Sequence, residues 1–133
     1  MSARTSYYKS PSIQEVSGGG LSRYAAVCGY NGNASATKYL EFHNSNPSDA
    51  SPFVTAEQGT LKAISVAVKV ATTATFTVYK NAVSVATLIL TAQDVNSSSG
   101  LSELFAVNDK LSVALTSGSA RDILFTTFIE VAA

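Results

Sequence analysis

Apolar and polar residues alternate with a period of two along most of this chain. In "ISVAVKV", Ile64, Val66, Val68 and Val70 share one parity, while Ser65, Ala67 and Lys69 take the other. "TFTVYK" sets Phe76 and Val78 against Thr75, Thr77 and Tyr79. "KLSVALT" does the same with Leu111, Val113 and Leu115. "ILFTTFIEV" places Ile123, Phe125, Ile129 and Val131 on a single face. Successive side chains of a strand point to opposite faces, so the pattern predicts strands with one face in a core. "VSVATLILT" (83–91) is apolar at both parities, as suits a central strand or one covered by a partner. "RYAAVCG" and "TKYLEF" read as two further strands.

Turn-forming residues fall between these runs. "ATTA" (71–74), "KNA" (80–82), "DVNSSSG" (94–100), "VND" (107–109) and "SGSARD" (117–122) read as reversals, as does Asn31-Gly32 within "YNGNASA". "HNSNPSDASP" (43–52) is a polar connection. Seven or eight strands at spacings of about 8–15 residues predict an all-β antiparallel sandwich or barrel rather than alternating strands and helices. Residues 1–20 lack the alternation. They carry Arg4, Lys9, the adjacent pair Tyr7-Tyr8 and one acid, Glu15, and they end in Gly18-Gly19-Gly20. We therefore read an extended N-terminal arm (1–20) ahead of one β-domain (21–133).

Composition narrows the function. The chain of 133 residues has nine Lys plus Arg against nine Asp plus Glu, so it presents no basic footprint for nucleic acid. Charged residues are 14% of the chain, against about 25% in an average soluble domain. Such a surface is suited to lying against a permanent neighbour. No apolar run reaches the roughly 20 residues of a membrane-spanning helix, and no secretion signal opens the chain.

Candidate chemistry is sparse. His43 is the sole histidine, and no serine sits in a nucleophile elbow, so a catalytic triad has no support. Cys28, the sole cysteine, lies among apolar residues and reads as a buried thiol. With His43 it makes no zinc pattern. Glu41, Glu57, Glu103 and Glu130 read as solvent-facing residues of strands, while Asp94, Asp109 and Asp122 read as turn residues. Arg121-Asp122 reads as a solvated pair in a hairpin loop, with contact to a neighbouring subunit as the alternative. The expectation is a protein that is not an enzyme and holds no cofactor or metal. Arg4, Tyr7, Tyr8 and Lys9 are its candidate partner-binding residues.

"GTLKAISVAVKVATTATFTVYKNAVSVATLILTAQD" with "FAVNDKLSVALTSGSARDILFTTFIEV" resembles a jelly-roll module of tailed-bacteriophage virion proteins. The likeness spans about residues 36–131. Its matching points are Gly59 to Lys62, Val78 to Asn81 and Asp109 to Gly118, and it departs at Ala82 and Asn108, where the family pattern has glycine. The resemblance implies a jelly-roll β-sandwich, often trimeric, on the outer surface of a virion. One module plus a short arm suits a head decoration (cement) protein that binds the assembled major capsid protein and stabilises it. The alternative is a tail-fibre or baseplate tip that recognises a host glycan, for which Tyr24, Tyr30 and Tyr39 are the available platforms.

An arm that orders on docking loses about 1–2 kcal/mol of backbone entropy per residue. Burial of a tyrosine returns only about 1.5–3 kcal/mol, so docking should involve a short stretch around Tyr7-Tyr8. Deleting residues 1–17 is expected to leave a folded oligomer whose attachment to particles is weaker. A particle-binding titration beside a melting curve separates this from a folding defect.

Overall fold

A computed structural model describes residues 16–18, 21–42, 53–55 and 57–132. The described chain contains eight strands and no helix: β1 (Val16–Gly18), β2 (Leu21–Ser35), β3 (Lys38–Tyr39), β4 (Glu41–Phe42), β5 (Phe53–Val54), β6 (Gly59–Lys80), β7 (Val83–Phe105) and β8 (Lys110–Ala132). All pairings are antiparallel, in the order β1-β2-β8-β6-β7, with β3 and β5 also on β8 and β4 on β2. The architecture is all-β, antiparallel and sandwich-like, in keeping with the jelly-roll-like expectation.

The sandwich is made by bending one sheet. β6, β7 and β8 run for 22, 23 and 23 residues, several times the usual strand length of about 5–6. β6 pairs with β8 from Thr60↔Glu130 to Ala67↔Leu124, breaks register, and resumes from Ala74↔Gly118 to Lys80↔Leu111. The two halves face each other across the core. Phe76 from one half meets Phe125 from the other at 5.8 Å between ring centroids, and both are fully buried. Ile64, Val66, Val78, Leu111, Val113, Leu115, Ile123 and Ile129 are buried as their alternation predicts. Cys28 is buried, as expected, and burial pushes its thiol well above the usual range.

Several expected turns are bends inside continuous strands. "ATTA" holds no glycine, proline or asparagine to reverse the chain. Instead the Thr72 hydroxyl donates to the Ser119 carbonyl at 2.8 Å, and the Ala92 amide donates to the Thr73 hydroxyl at 3.0 Å. Val70, expected in the core, is carried out by this bend and stands 57% exposed. "SGSARD" is likewise no hairpin loop. It continues β8 through Gly118, whose φ is +80° and whose missing Cβ would collide with the Thr73 carbonyl oxygen. Asn31-Gly32 forms a bulge in β2, where pairing with β8 jumps between Tyr30 and Asn33. "DVNSSSG" also runs through, inside β7. True reversals occur at Asn81-Ala82, between β6 and β7, and at Val107-Asn108, between β7 and β8.

Two further expectations change. The doubly apolar 83–91 segment belongs to β7, which is an end strand of the sheet rather than a central one. The arm boundary at residue 20 also moves, because Val16↔Arg23 and Gly18↔Leu21 pair β1 with β2. A truncation meant to spare the sheet therefore stops at residue 15.

Asn81 and Ala82 have φ of 52° and 68°, the two positive values of a type I′ hairpin turn. An L-residue other than glycine or asparagine is strained there. Ala82→Gly is expected to stabilise the fold by roughly 0.5–1 kcal/mol, after discounting the extra freedom that glycine gives the unfolded chain. Gly118→Ala is expected to act in the opposite sense and more strongly. Urea titrations of both variants check the two signs.

Candidate interaction surface

The densest polar cluster closes the end of the sandwich where the two true reversals meet. The Asn81 side-chain amide donates to Asp109 Oδ1 at 2.9 Å, and Asn81 Oδ1 accepts from the Lys110 backbone amide at 2.9 Å. Asp109 Oδ2 accepts from the Ala106 amide at 2.8 Å, which caps its own turn. Thr55 joins from β5's end: its hydroxyl donates to the Ala106 carbonyl at 2.7 Å, and its carbonyl accepts from the Asn108 amide at 2.7 Å. Lys80 Nζ donates to Glu103 Oε2 at 2.8 Å and to the Leu104 carbonyl at 2.9 Å. Each of these groups is spent on a neighbour in the same chain. This end is a clasp between turns.

A different kind of surface lies on the outer face of the sheet half formed by β7, β6, β8 and β2. Residues of the parity opposite to buried Ile64, Val66 and Phe125 point outwards there. β6 contributes Ala63, Ser65 and Ala67, and β8 contributes Phe128, Thr126 and Leu124. Val95 and Ser97 of β7 and Val27 of β2 flank them in register. Leu124 and Val95 are 54% and 58% exposed. None of these residues carries a charge. A shallow depression of about 490 Å³ lies over the small β6 side chains, between Val95 and Leu124.

Charge returns at both ends of this face. At one end Lys69 Nζ lies 3.9 Å from Asp122 Oδ2; at the other Arg23 Nε donates to Glu130 Oε2 at 3.1 Å. Asp122 also accepts from the Gly32 amide at 2.7 Å, which ties the β8 bend to the β2 bulge. Its partners are therefore Gly32 and Lys69, a correction to its reading as the loop partner of Arg121.

Of the residues singled out in the sequence, Arg4, Tyr7, Tyr8, Lys9 and His43 lie outside the described residues. The three tyrosine platforms do not gather. Tyr24 packs on Phe53 at 6.2 Å, Tyr39 on Tyr79 at 6.1 Å, and Tyr30 lies under the Lys38 ammonium at 4.9 Å. Burial, then the Glu57 charge, raises the Tyr24 phenol above its usual pKa. No ring lines the depression on the outer face. Among the described residues no group of three or more His, Cys, Asp or Glu side chains is placed to hold a metal ion. The uncharged face was not found from sequence as a surface, although its residues are the polar-parity positions of strands already recognised. The signal was present in the near absence of charge at those positions. No protein-family model matches the chain, and no curated protein matches it.

The clasp has a pH signature. Hydrogen bonds from Asn81 and from the Ala106 amide, with the nearby Lys80 charge, hold the Asp109 carboxyl below the usual aspartate range. A carboxyl depressed on folding stabilises the fold above its unfolded value, about 3.9, and loses that contribution as pH falls through the folded value. The difference in melting temperature between the native protein and Asp109→Ala should therefore hold steady near neutrality and shrink below about pH 4. A difference that stays constant down to pH 2.5, roughly a unit and a half below the reference value, would mean the carboxylate charge has no part in the clasp.

Proposed function

We propose that this protein is a structural component of a tailed-phage virion, a head decoration protein that binds the assembled capsid surface and stabilises it. The observation that carries this reading is the uncharged outer face of β7, β6, β8 and β2, closed at each end by an ion pair. A face of this kind suits lasting contact with neighbouring protein and offers nothing for catalysis. The motif likeness over residues 36–131 supplies the virion context. In this reading the protein acts as a homotrimer with the major capsid protein as its partner. A ligand that binds only the assembled shell stabilises that shell by mass action.

A tail-fibre or baseplate tip binding a host-surface glycan is the other reading of the same resemblance. Sugar sites need aromatic platforms converging with polar groups in a cleft. Tyr24, Tyr30 and Tyr39 instead each pack locally on different neighbours, which favours decoration.

Gold-labelled antibody against the protein, applied to intact particles, separates the two. Decoration predicts many labels over the head and a shell whose melting temperature falls when the protein is stripped off. A few labels confined to the tail would overturn it in favour of the tip.

A further inference from the structure

Asn31-Gly32 is the one Asn-Gly pair in the chain. It stands in the β2 bulge, where neither residue has a register partner on β8. Asparagine followed by glycine is chemically self-reactive. The backbone nitrogen of the second residue attacks the side-chain carboxamide of the first, and glycine has no Cβ to obstruct the closing ring.

The surroundings leave this pair open on every side but one. Asn31 is exposed, and its carboxamide makes no hydrogen bond among the described residues. The carboxamides of Asn81 and Asn96, by contrast, are each engaged at both the nitrogen and the oxygen. Gly32 has φ of +101°, and no atom lies within 4 Å of where its Cβ would stand, so a ring has room to close. The exception is the attacking atom itself. The Gly32 N–H donates to Asp122 Oδ1 at 2.7 Å, a short bond to a carboxylate. Asp122 is aimed there from the β8 bend, where its own φ is 52°. Its other oxygen, Oδ2, lies 3.9 Å from Lys69 Nζ, and exposed Arg121 stands in register with Asn33. Attack requires the Gly32 nitrogen to give up its proton. A carboxylate in contact holds that proton and disfavours a second negative charge beside it. Lys69, on the far oxygen and exposed, offsets only part of this.

We propose that Asn31-Gly32 is a self-modification site, held closed in the folded protein by Asp122 and converted to isoaspartate once that hydrogen bond opens. In the reaction the Gly32 nitrogen loses its proton to solvent base and bonds to Asn31 Cγ. The Cγ–Nδ2 bond breaks, and Nδ2 takes up a proton and leaves as ammonia. Water then opens the cyclic imide. Cleavage of the new N–Cγ bond gives aspartate. Cleavage at the main-chain carbonyl gives isoaspartate, whose backbone is one carbon longer. No oxidant, reductant or cofactor takes part. Either product sets a carboxylate near Asp122, where the bulge had been tied to the β8 bend, so the change runs one way.

The test incubates the full chain at physiological temperature and mildly alkaline pH. Peptide mapping then follows the mass gain of amide-to-acid exchange and the isoaspartate content at residues 31 and 96. The native protein should modify Asn31 at least about tenfold more slowly than the same chain unfolded in urea. Asp122→Ala, shown by its melting curve to be folded, should recover at least about tenfold of that rate at Asn31 alone. Adding Asn31→Gln to it should abolish the signal. Should Asp122→Ala fail to fold, Asp122→Asn, which tolerates the left-handed backbone, takes its place and should also speed Asn31 alone. A native protein that modifies Asn31 as fast as the unfolded chain would overturn the inference, as would a folded Asp122 variant no faster than native. Equal acceleration at Asn31 and Asn96 would also overturn it, because the variant would then act by general opening of the fold.

Discussion

The structure depends on one demand: strands of 22 and 23 residues must stay hydrogen-bonded while the sheet they form folds back on itself. A regular ladder resists so sharp a bend, and breaking it would leave backbone groups without partners. The chain meets the demand at a single level, around Thr72, Thr73, Gly118 and Ser119. Two hydroxyls replace the missing ladder bonds. A glycine lets β8 approach the Thr73 carbonyl more closely than any Cβ would permit. Only with this bend do Phe76 and Phe125, 49 positions apart in sequence, meet across a shared core.

Several of the turn and strand residues conspicuous in the sequence are ones the bend and the clasp require. Asn81 and Asp109 bind each other across two turns, Thr116 accepts or donates to Thr77 at 2.8 Å, and Gly118 makes the close approach. A pattern built from such residues reports how a backbone is held. It says less about what the outside of that backbone touches, and sites are grafted on folds rather than dictated by them. Ala82 illustrates the same point in reverse. The turn keeps its positive φ without a glycine, at some cost in strain.

How much was legible follows from the same physics. Period-two alternation announced the buried face of β6 and β8 except at the bend, where Val70 leaves it, because burial and parity are the same fact in a strand. What alternation could not distinguish was a reversal from a bulge. Asn, Gly, Ser and Asp supply positive φ and side-chain hydrogen bonds to both, so Asn31-Gly32 and "SGSARD" looked like hairpins and proved to be irregularities within strands. Partners far apart in sequence were equally hidden. Asp122 reaches Gly32 across 90 positions and Arg23 reaches Glu130 across 107, and no local spacing encodes either. The uncharged face emerges only once register places the polar-parity positions of four strands side by side.

That face also explains an imbalance in the composition. With 14% of its residues charged, the chain spends its charges on particular tasks. Lys80 and Glu103 brace β6 against β7 near the clasp, and Asp109 caps a turn. Lys69, Asp122, Arg23 and Glu130 close the two ends of the outer face. Ordinary sheet surfaces alternate apolar-in with polar or charged-out. Here the outward positions of β6 between Lys62 and Lys69 are filled by alanine and serine, which neither repel a neighbour nor anchor a water shell strongly. The β7 edge, by contrast, is broken by bulges and capped by its own asparagine. Bulges and a self-capping asparagine of this kind discourage indiscriminate strand addition at that edge.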